Sequence, residues 1–221
     1  MGRITGMNIK AKSISEAWFQ ALYHLPDHCY KQDIQAGSFA DDYRLQYPWL
    51  AIEIEQYLND TIPIVPEGIP APTTQGYVVD YFVEYLLPSG YPKKANEVYS
   101  YATRIGEQLN SLIKMLSNNP HNNQMTLEIG RPEDITLSEP ACLRVLDFKV
   151  VNNALDVSMF FRSNDLYSGF PTNLAGIALL CEYISNMAGM PRGKMYYASP
   201  GAHIYGKYKE IVETRVGRKF K

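Results

Sequence analysis

The stretch that most limits what this chain can fold into runs from residue 142 to residue 187. CLRVLDFKVV (142–151) is aliphatic and β-branched with charges interleaved, Asn152-Asn153 follows, and LDVSMFF (155–161) supplies a second strand. Two strands joined by so short an Asn-rich connection read as a hairpin, because Asn tolerates turn backbone. A two-residue turn there brings residues 142 and 162 to the same end of the pair. RSNDLYSGFPTN (162–173) then crowds Arg, Ser, Asn, Asp, Gly and Pro into one turn. It opens into a largely apolar helix over 173–187, the composition of a buried element. The pattern is helices packed on a sheet, an α+β fold.

Around that segment the signals are plainer. AKSISEAWFQALY (11–23) places Ile14, Trp18, Ala21 and Leu22 on one helical face, with Ser13 or Ser15 as cap and Glu16 in the first turn. From there to about residue 97 the chain is rich in Pro, Gly, Asp and Tyr, and TIPIVPEGIPAPTTQG (61–76) has too many prolines for a helix or a central strand. Leu109, Leu112, Ile113 and Leu116 form a second helix face, stopped by Asn118, Asn119 and Pro120. Residues 124–129 read as a short strand, and 194–206 as one strand with a bent middle. At 221 residues the expectation is one domain, 1–221.

A net charge of −2 gives no global basic field toward nucleic acid or an acidic membrane, yet leaves room for a small anion held by one or two arginines. No charged, apolar leader opens the chain, and the run near Leu174–Leu180 is far too short to span a bilayer. Three cysteines, at 29, 142 and 181, lack metal-ligand spacing and read as reduced thiols of a cytoplasmic protein. Four scattered histidines predict no metal site, and neither a dinucleotide fingerprint nor a Walker loop occurs.

The chemistry concentrates in few side chains. Arg162 offers a planar fork suited to phosphate or carboxylate, Ser163 a hydroxyl, and Gly169 close backbone approach. Asn173 either caps the helix or presents an amide that both donates and accepts, as a nucleobase edge requires. Read alone, the loop is more simply a capped surface turn. Cys142 is either a small buried hydrophobe or a nucleophile whose pKa Arg162 lowers across the hairpin. His203 and Tyr205 share one side of a strand, as donors to a sugar or as an amphipathic pair.

Three separated motifs in order resemble thymidylate synthase in its short archaeal form: Pro140-Ala141-Cys142, then Arg162-Ser163-Asn164-Asp165 with Gly169-Phe170-Pro171-Thr172-Asn173, then His203-Ile204-Tyr205. The match covers about residues 99–206. It implies the family's three-layer fold with a mixed sheet, and methylation of deoxyuridylate at carbon 5. The carbon would come from 5,10-methylenetetrahydrofolate or methylenetetrahydromethanopterin, and the enzyme would be a homodimer. By resemblance, Cys142 would attack carbon 6 of the base, Arg162 and Ser163 would hold the 5′-phosphate, and Asn173 the uracil edge. His203 and Tyr205 would contact the ribose 3′-hydroxyl, and Asp165 would orient base and pterin. Val98-Tyr99 with Arg104 resembles a segment that makes Tyr99 part of the proton-removal network. Glu16 resembles the family's helix glutamate, one residue out of spacing.

The departures carry expectations too. The arginine pair that the family's partner subunit supplies corresponds here to Asn122-Asn123, which bring no charge to a phosphate. The residue after the cysteine, usually His, is Leu143; an N-terminal arginine loop and a long C-terminal segment are absent from the pattern. Arg104, Arg131 and Arg44 are the candidates to compensate. The alternatives are a pyrimidine nucleotide hydroxymethylase, and a nucleotide-binding relative with weak catalysis.

Overall fold

The computed structural model describes residues 5–35, 39–40, 42–65, 67–92 and 99–220. Its central element is the hairpin: β6 (Leu143–Val151) pairs antiparallel with β7 (Ala154–Phe161), Leu143 opposite Phe161 and Val151 opposite Ala154. The turn residues Asn152 and Asn153 sit at φ 51° and 62°, the left-handed pair that matches a type I′ turn to the twist of its strands. Around the hairpin a mixed six-stranded sheet forms in the order β1-β4-β9-β7-β6-β5, from β1 (Met7–Ala11), β4 (Leu50–Ile54), β9 (Arg192–Ser199) and β5 (Thr126–Glu128). One face of it is core: Ile9, Leu50, Ile52, Leu146, Phe148, Val157, Met159, Met195 and Tyr197 are all buried.

Helix α1 (Ile14–His28) and helix α5 (Gly169–Ala188) lie on that face, and the second layer they make is covered in turn. The outer cover is α2 (Gln75–Asp80), which runs on into a π-helical turn, Tyr81–Leu86, and α6 (Lys209–Val216). α5 is apolar all round because it is packed on both sides, Leu174, Ile177, Ala178, Leu180 and Ile184 among its buried residues. Helices α3 (Tyr101–Ile105) and α4 (Gln108–Asn118) close one end. A second, four-stranded sheet, β2-β3-β10-β8, joins β2 (Tyr30–Asp33) and β3 (Tyr43–Gln46) to β10 (Ala202–Tyr205) and β8 (Asn164–Asp165).

The first helix begins at Ile14 behind Ser13, one of the two expected caps, whose hydroxyl accepts from the Glu16 N–H at 3.2 Å; residues 7–11 before it are an edge strand. Other expectations are corrected. Among the described residues, the stretch after the first helix holds three strands, a helix and a π-turn, while residues 61–65 and 67–74 carry neither helix nor strand. The buried helix starts at Gly169, four residues early; Pro171 fits because first-turn N–H groups need no helical partner. The expected single strand 194–206 is two strands in different sheets, broken at Pro200-Gly201.

The hairpin turn yields a stability prediction. Asn153→Gly holds or raises stability by about 0.5 kcal/mol, whereas Asn153→Val costs about 1–2 kcal/mol, since a β-branched residue resists positive φ. Urea midpoints of the two variants check it; equal midpoints would refute the turn assignment.

Candidate active site

The site forms where both sheets meet the start of α5. The hairpin register carries Arg162 to Cys142: the Arg162 N–H donates to the Cys142 carbonyl at 2.9 Å. The side chain folds back over the same segment, Nε to the Ala141 carbonyl at 3.0 Å, and Nη2 to the Pro140 carbonyl at 2.5 Å and to Cys142 Sγ at 3.8 Å. The expected pairing of thiol and guanidinium is therefore present. Its electrostatic outcome is not the expected one: burial pushes the Cys142 thiol up, and Arg162, Arg44 and Arg144 pull it down without reversing the shift.

Gly201 locks the third motif against the second. A Cβ there would lie 2.5 Å from the Arg162 carbonyl oxygen and 3.1 Å from Ser163 Cα, so only glycine lets the two backbones touch. The Gly201 carbonyl accepts from the Asn164 N–H at 3.2 Å, and β10 runs parallel to β8 with His203 opposite Asp165. By contrast a Cβ at Gly169 would meet Asp165 and Asn173 at ordinary distances of 3.4 and 3.7 Å, so close approach does not require glycine there.

His203 is buried, with Nδ1 2.8 Å from the Gly201 carbonyl. That oxygen can only accept, so Nδ1 carries the proton and Nε2 is left as an acceptor; Nε2 is buried with no partner among the described residues. Burial lowers the pKa of this imidazole, with Arg44 adding to the effect and the Gly201 carbonyl and Asp165 opposing it. Tyr205 meets the His203 ring edge-on at 4.8 Å, confirming that the two share a side.

Asn173 does not cap α5. Ser168 occupies the cap position, and Asn173, one turn in, donates from Nδ2 to the Tyr81 hydroxyl at 2.9 Å and lies 3.5 Å from Asn164 Nδ2. Asp165 is engaged locally, accepting from the Tyr167 N–H (2.9 Å) and the Ser168 hydroxyl (2.6 Å). Tyr99 belongs to the cluster: burial raises its phenol, Cys142 adds to that, and Arg162, Arg104 and the Cys142 backbone work against it. Val98, its partner in the matched segment, lies outside the described residues.

Two groups are bonded elsewhere in the chain, apart from this cluster. Glu16 accepts from the Lys12 N–H (2.8 Å) and from Gln20 (2.8 Å), while Trp18 beside it is anchored to the Leu166 carbonyl at 2.8 Å. Asn122 and Asn123 precede β5; the Asn122 side chain accepts from the Gln124 N–H at 2.8 Å, and the Asn123 carbonyl is 3.5 Å from Lys149 Nζ. Of the three arginines named as substitutes, Arg104 is held in a buried pair with Asp134 (2.7 Å), and the Arg131 N–H also bonds Asp134 (3.2 Å). Arg44 stands in the site, opposite Tyr205 in the β3–β10 register and 5.9 Å over its ring, and its buried Nε has no hydrogen-bond partner among the described residues.

Sequence reasoning missed Tyr81, which holds Asn173 and stacks on Tyr85 at 5.4 Å. Both line a hollow of about 390 Å³ with Tyr77, Tyr91, Asp80 and Glu84. The spacing of Tyr77, Tyr81 and Tyr85, four apart, was the helical signal available. Among the described residues no three His, Cys, Asp or Glu side chains gather as a metal site, and no helix is long and apolar enough to cross a membrane.

Comparison with known proteins gives one answer. The family model for thymidylate synthase matches residues 83–221. A Methanococcoides burtonii protein provisionally described as a thymidylate synthase is 27% identical over 209 residues, covering 90% of each chain. The thymidylate synthase of Listeria monocytogenes is 31% identical over 113 residues, 51% of this chain and 36% of that one. The fold is similar to the thermostable thymidylate synthase A from Bacillus subtilis, with a TM-score of 0.74 at 13% identity, over 93% of this chain and 84% of that one.

The state of His203 predicts an acid-side loss of stability. The folded imidazole takes its proton below the ordinary value of about 6.5, so the unfolded chain binds more protons as pH falls through 6.5, and stability drops. His203→Asn makes that decline shallower between about pH 6.5 and 5 without abolishing it, because burial depresses His24 as well. Denaturant unfolding at stepped pH checks this; an unchanged slope would contradict a neutral His203.

Proposed function

The chain belongs to the thymidylate synthase family, and from that premise we propose that its whole length, as one domain, converts deoxyuridylate to thymidylate using a methylene-carrying reduced folate or methanopterin. The observation that carries this reading is the chain of contacts that gathers Cys142, Arg162, Asn173 and His203: Arg162 bonds Cys142, Gly201 packs on Arg162 and bonds His203, and Asn164 links the same turn to Asn173. Cys142 adds to carbon 6 of the uracil, which makes carbon 5 a nucleophile toward the methylene group. The Asn173 amide, its Nδ2 steered by Tyr81, reads the NH and 4-oxo edge. The Nε2 acceptor of His203 takes the ribose 3′-hydroxyl, with Tyr205 beside it. Tyr99 serves the proton removal at carbon 5. The Tyr81–Tyr85 stack at the adjoining hollow offers the flat, apolar surface a pterin ring needs.

The phosphate falls to Arg162 and Ser163, joined by Arg44 from β3. With Asn122-Asn123 uncharged, Arg44 is the cation that restores a second charge-assisted contact from within the same subunit. The second copy of a homodimer packs on the outer face of the six-stranded sheet. Ala51, Phe160, Tyr196 and Ala198 are only half-buried there, and Trp49 is 40% exposed at its edge.

Three measurements test the proposal. Cys142→Ala abolishes release of tritium from carbon 5 of labelled deoxyuridylate; release that survives the substitution would sink the nucleophile assignment. Arg44→Gln raises KM for deoxyuridylate about tenfold or more and leaves deoxyuridine binding unchanged, as loss of one charge-assisted bond of about 1.5–3 kcal/mol requires. An equal effect on both ligands would place Arg44 away from the phosphate. Phe160→Glu halves the mass seen by light scattering, and a monomeric wild type would remove the dimer from the proposal.

A further inference from the structure

Behind the site lies a buried charge cluster to which the proposed chemistry gives no role. Asp134, in the 3₁₀ turn Pro132–Thr136, is 2% exposed and grips two arginines at once. Its two oxygens accept from Arg104 Nη2 and Nη1, both at 2.7 Å, in a bidentate pair. The second oxygen also takes Arg144 Nη1 and the Arg131 N–H at 3.2 Å. Arg104 donates further to the Ile129 carbonyl at 2.8 Å, so its plane has no freedom left.

The far side of Arg104 touches Tyr99, and Arg144 reaches the backbone next to Cys142. The Arg104 guanidinium carbon lies 4.4 Å from the centre of the Tyr99 ring, in cation–π contact. Arg144 stands two residues beyond Cys142 on β6 and donates to the carbonyl of Ala141, the residue before it, at 3.3 Å. A hollow of about 290 Å³ adjoins, lined by Tyr99, Thr103, Arg104, Arg131 and Asp134 among others. An unclamped Tyr99 ring therefore has space to swing into.

We infer that Asp134 is a positioning residue of this site: through Arg104 and Arg144 it fixes the Tyr99 phenol relative to the Cys142 thiol. The inference rests on the reading of Tyr99 and Cys142 given above. A carboxylate suits the task because it matches the planar fork of Arg104 and holds that plane parallel to itself. It also sets the field at Tyr99, since its negative charge offsets part of the Arg104 charge. The other groups that face Tyr99 are Cys142 and Arg162 at the hairpin end, Tyr101 at 5.8 Å between ring centres, Tyr81 and Tyr85 from the π-turn, and Arg131 and Glu133 around the hollow.

The test is Asp134→Asn in the full chain, followed by NMR of ring-¹³C tyrosine, with the Tyr99 signal identified by its loss in Tyr99→Phe. The Tyr99 titration midpoint falls by about half a pH unit or more, because Arg104 now acts on it unopposed. Tritium release falls about tenfold in kcat with little change in KM for deoxyuridylate, the split expected of lost alignment rather than lost binding. Asp134→Glu recovers part of both. Should Asp134→Asn not fold, Arg104→Lys keeps the charge and loses the fork, so kcat falls while the Tyr99 midpoint holds. A folded Asp134→Asn protein with the wild-type midpoint and wild-type kcat overturns the inference, as does Arg104→Lys with wild-type kcat. Tyr99→Phe releasing tritium at the wild-type rate overturns the role of Tyr99 instead, a result the NMR midpoint cannot produce.

Discussion

The pairing of β6 with β7 is the constraint from which the rest of this molecule follows. Its turn fixes the register, the register places residue 162 against residue 142, and one backbone bond at 2.9 Å makes that juxtaposition rigid. A slip of one residue would turn Leu146 and Phe148 out of the core and Asp147 into it, so the core enforces the same register that the site needs. Stability and chemistry are thus tied to the same ladder of hydrogen bonds. The second sheet depends on it in turn, because β8 begins three residues after β7 ends, and β10 pairs with β8 directly after the close Gly201 contact.

Electrostatics at the cysteine is a contest between burial and three guanidinium groups. Burial wins in the free protein, so the thiol is held protonated above its ordinary range. Arg162 is the strongest of the three opposing cations, and its fork is held in place by the Pro140 and Ala141 carbonyls. Those bonds orient the guanidinium along the loop that carries Cys142. Positioning is the service they perform, and the proposed attack has to draw its thiolate from a small population.

The fold was legible wherever one contiguous segment carries its own periodicity. The hairpin, α4 and the buried helix belong to that class, and their boundaries shift by only a few residues. β2 and β3 do not: YKQD is exposed along its whole length, and the two strands exist because β10 lies alongside. β4 did carry a pattern, Leu50, Ile52 and Ile54 facing the core, but short alternation beside a proline-dense stretch says little by itself. Site residues divide the same way. Cys142, Arg162, Asn173 and His203 come from motifs with recognisable spacing. Arg44 and Tyr81 lie 161 and 92 residues from Tyr205 and Asn173, and Asp134 lies 30 from Arg104, so only tertiary packing brings them in.

The Asp134 cluster raises a question of cost that bears on why the site has this form. Withdrawing a carboxylate and a guanidinium from water is expensive, and apolar residues of similar volume would often give a more stable protein. Arg104 and Asp134 are both nearly inaccessible, and burial works against the charged form of each. Apolar packing, however, fixes position only to within the slack of interchangeable side chains, whereas a bidentate pair fixes a plane. Tyr99 lies on that plane, beside a hollow that would otherwise let it move. The one carboxylate reaches both α3 and β6, elements that share no strand pairing. Orientation between those two elements is a property the hydrogen-bonded sheet cannot supply, and a buried charge shared between two arginines can.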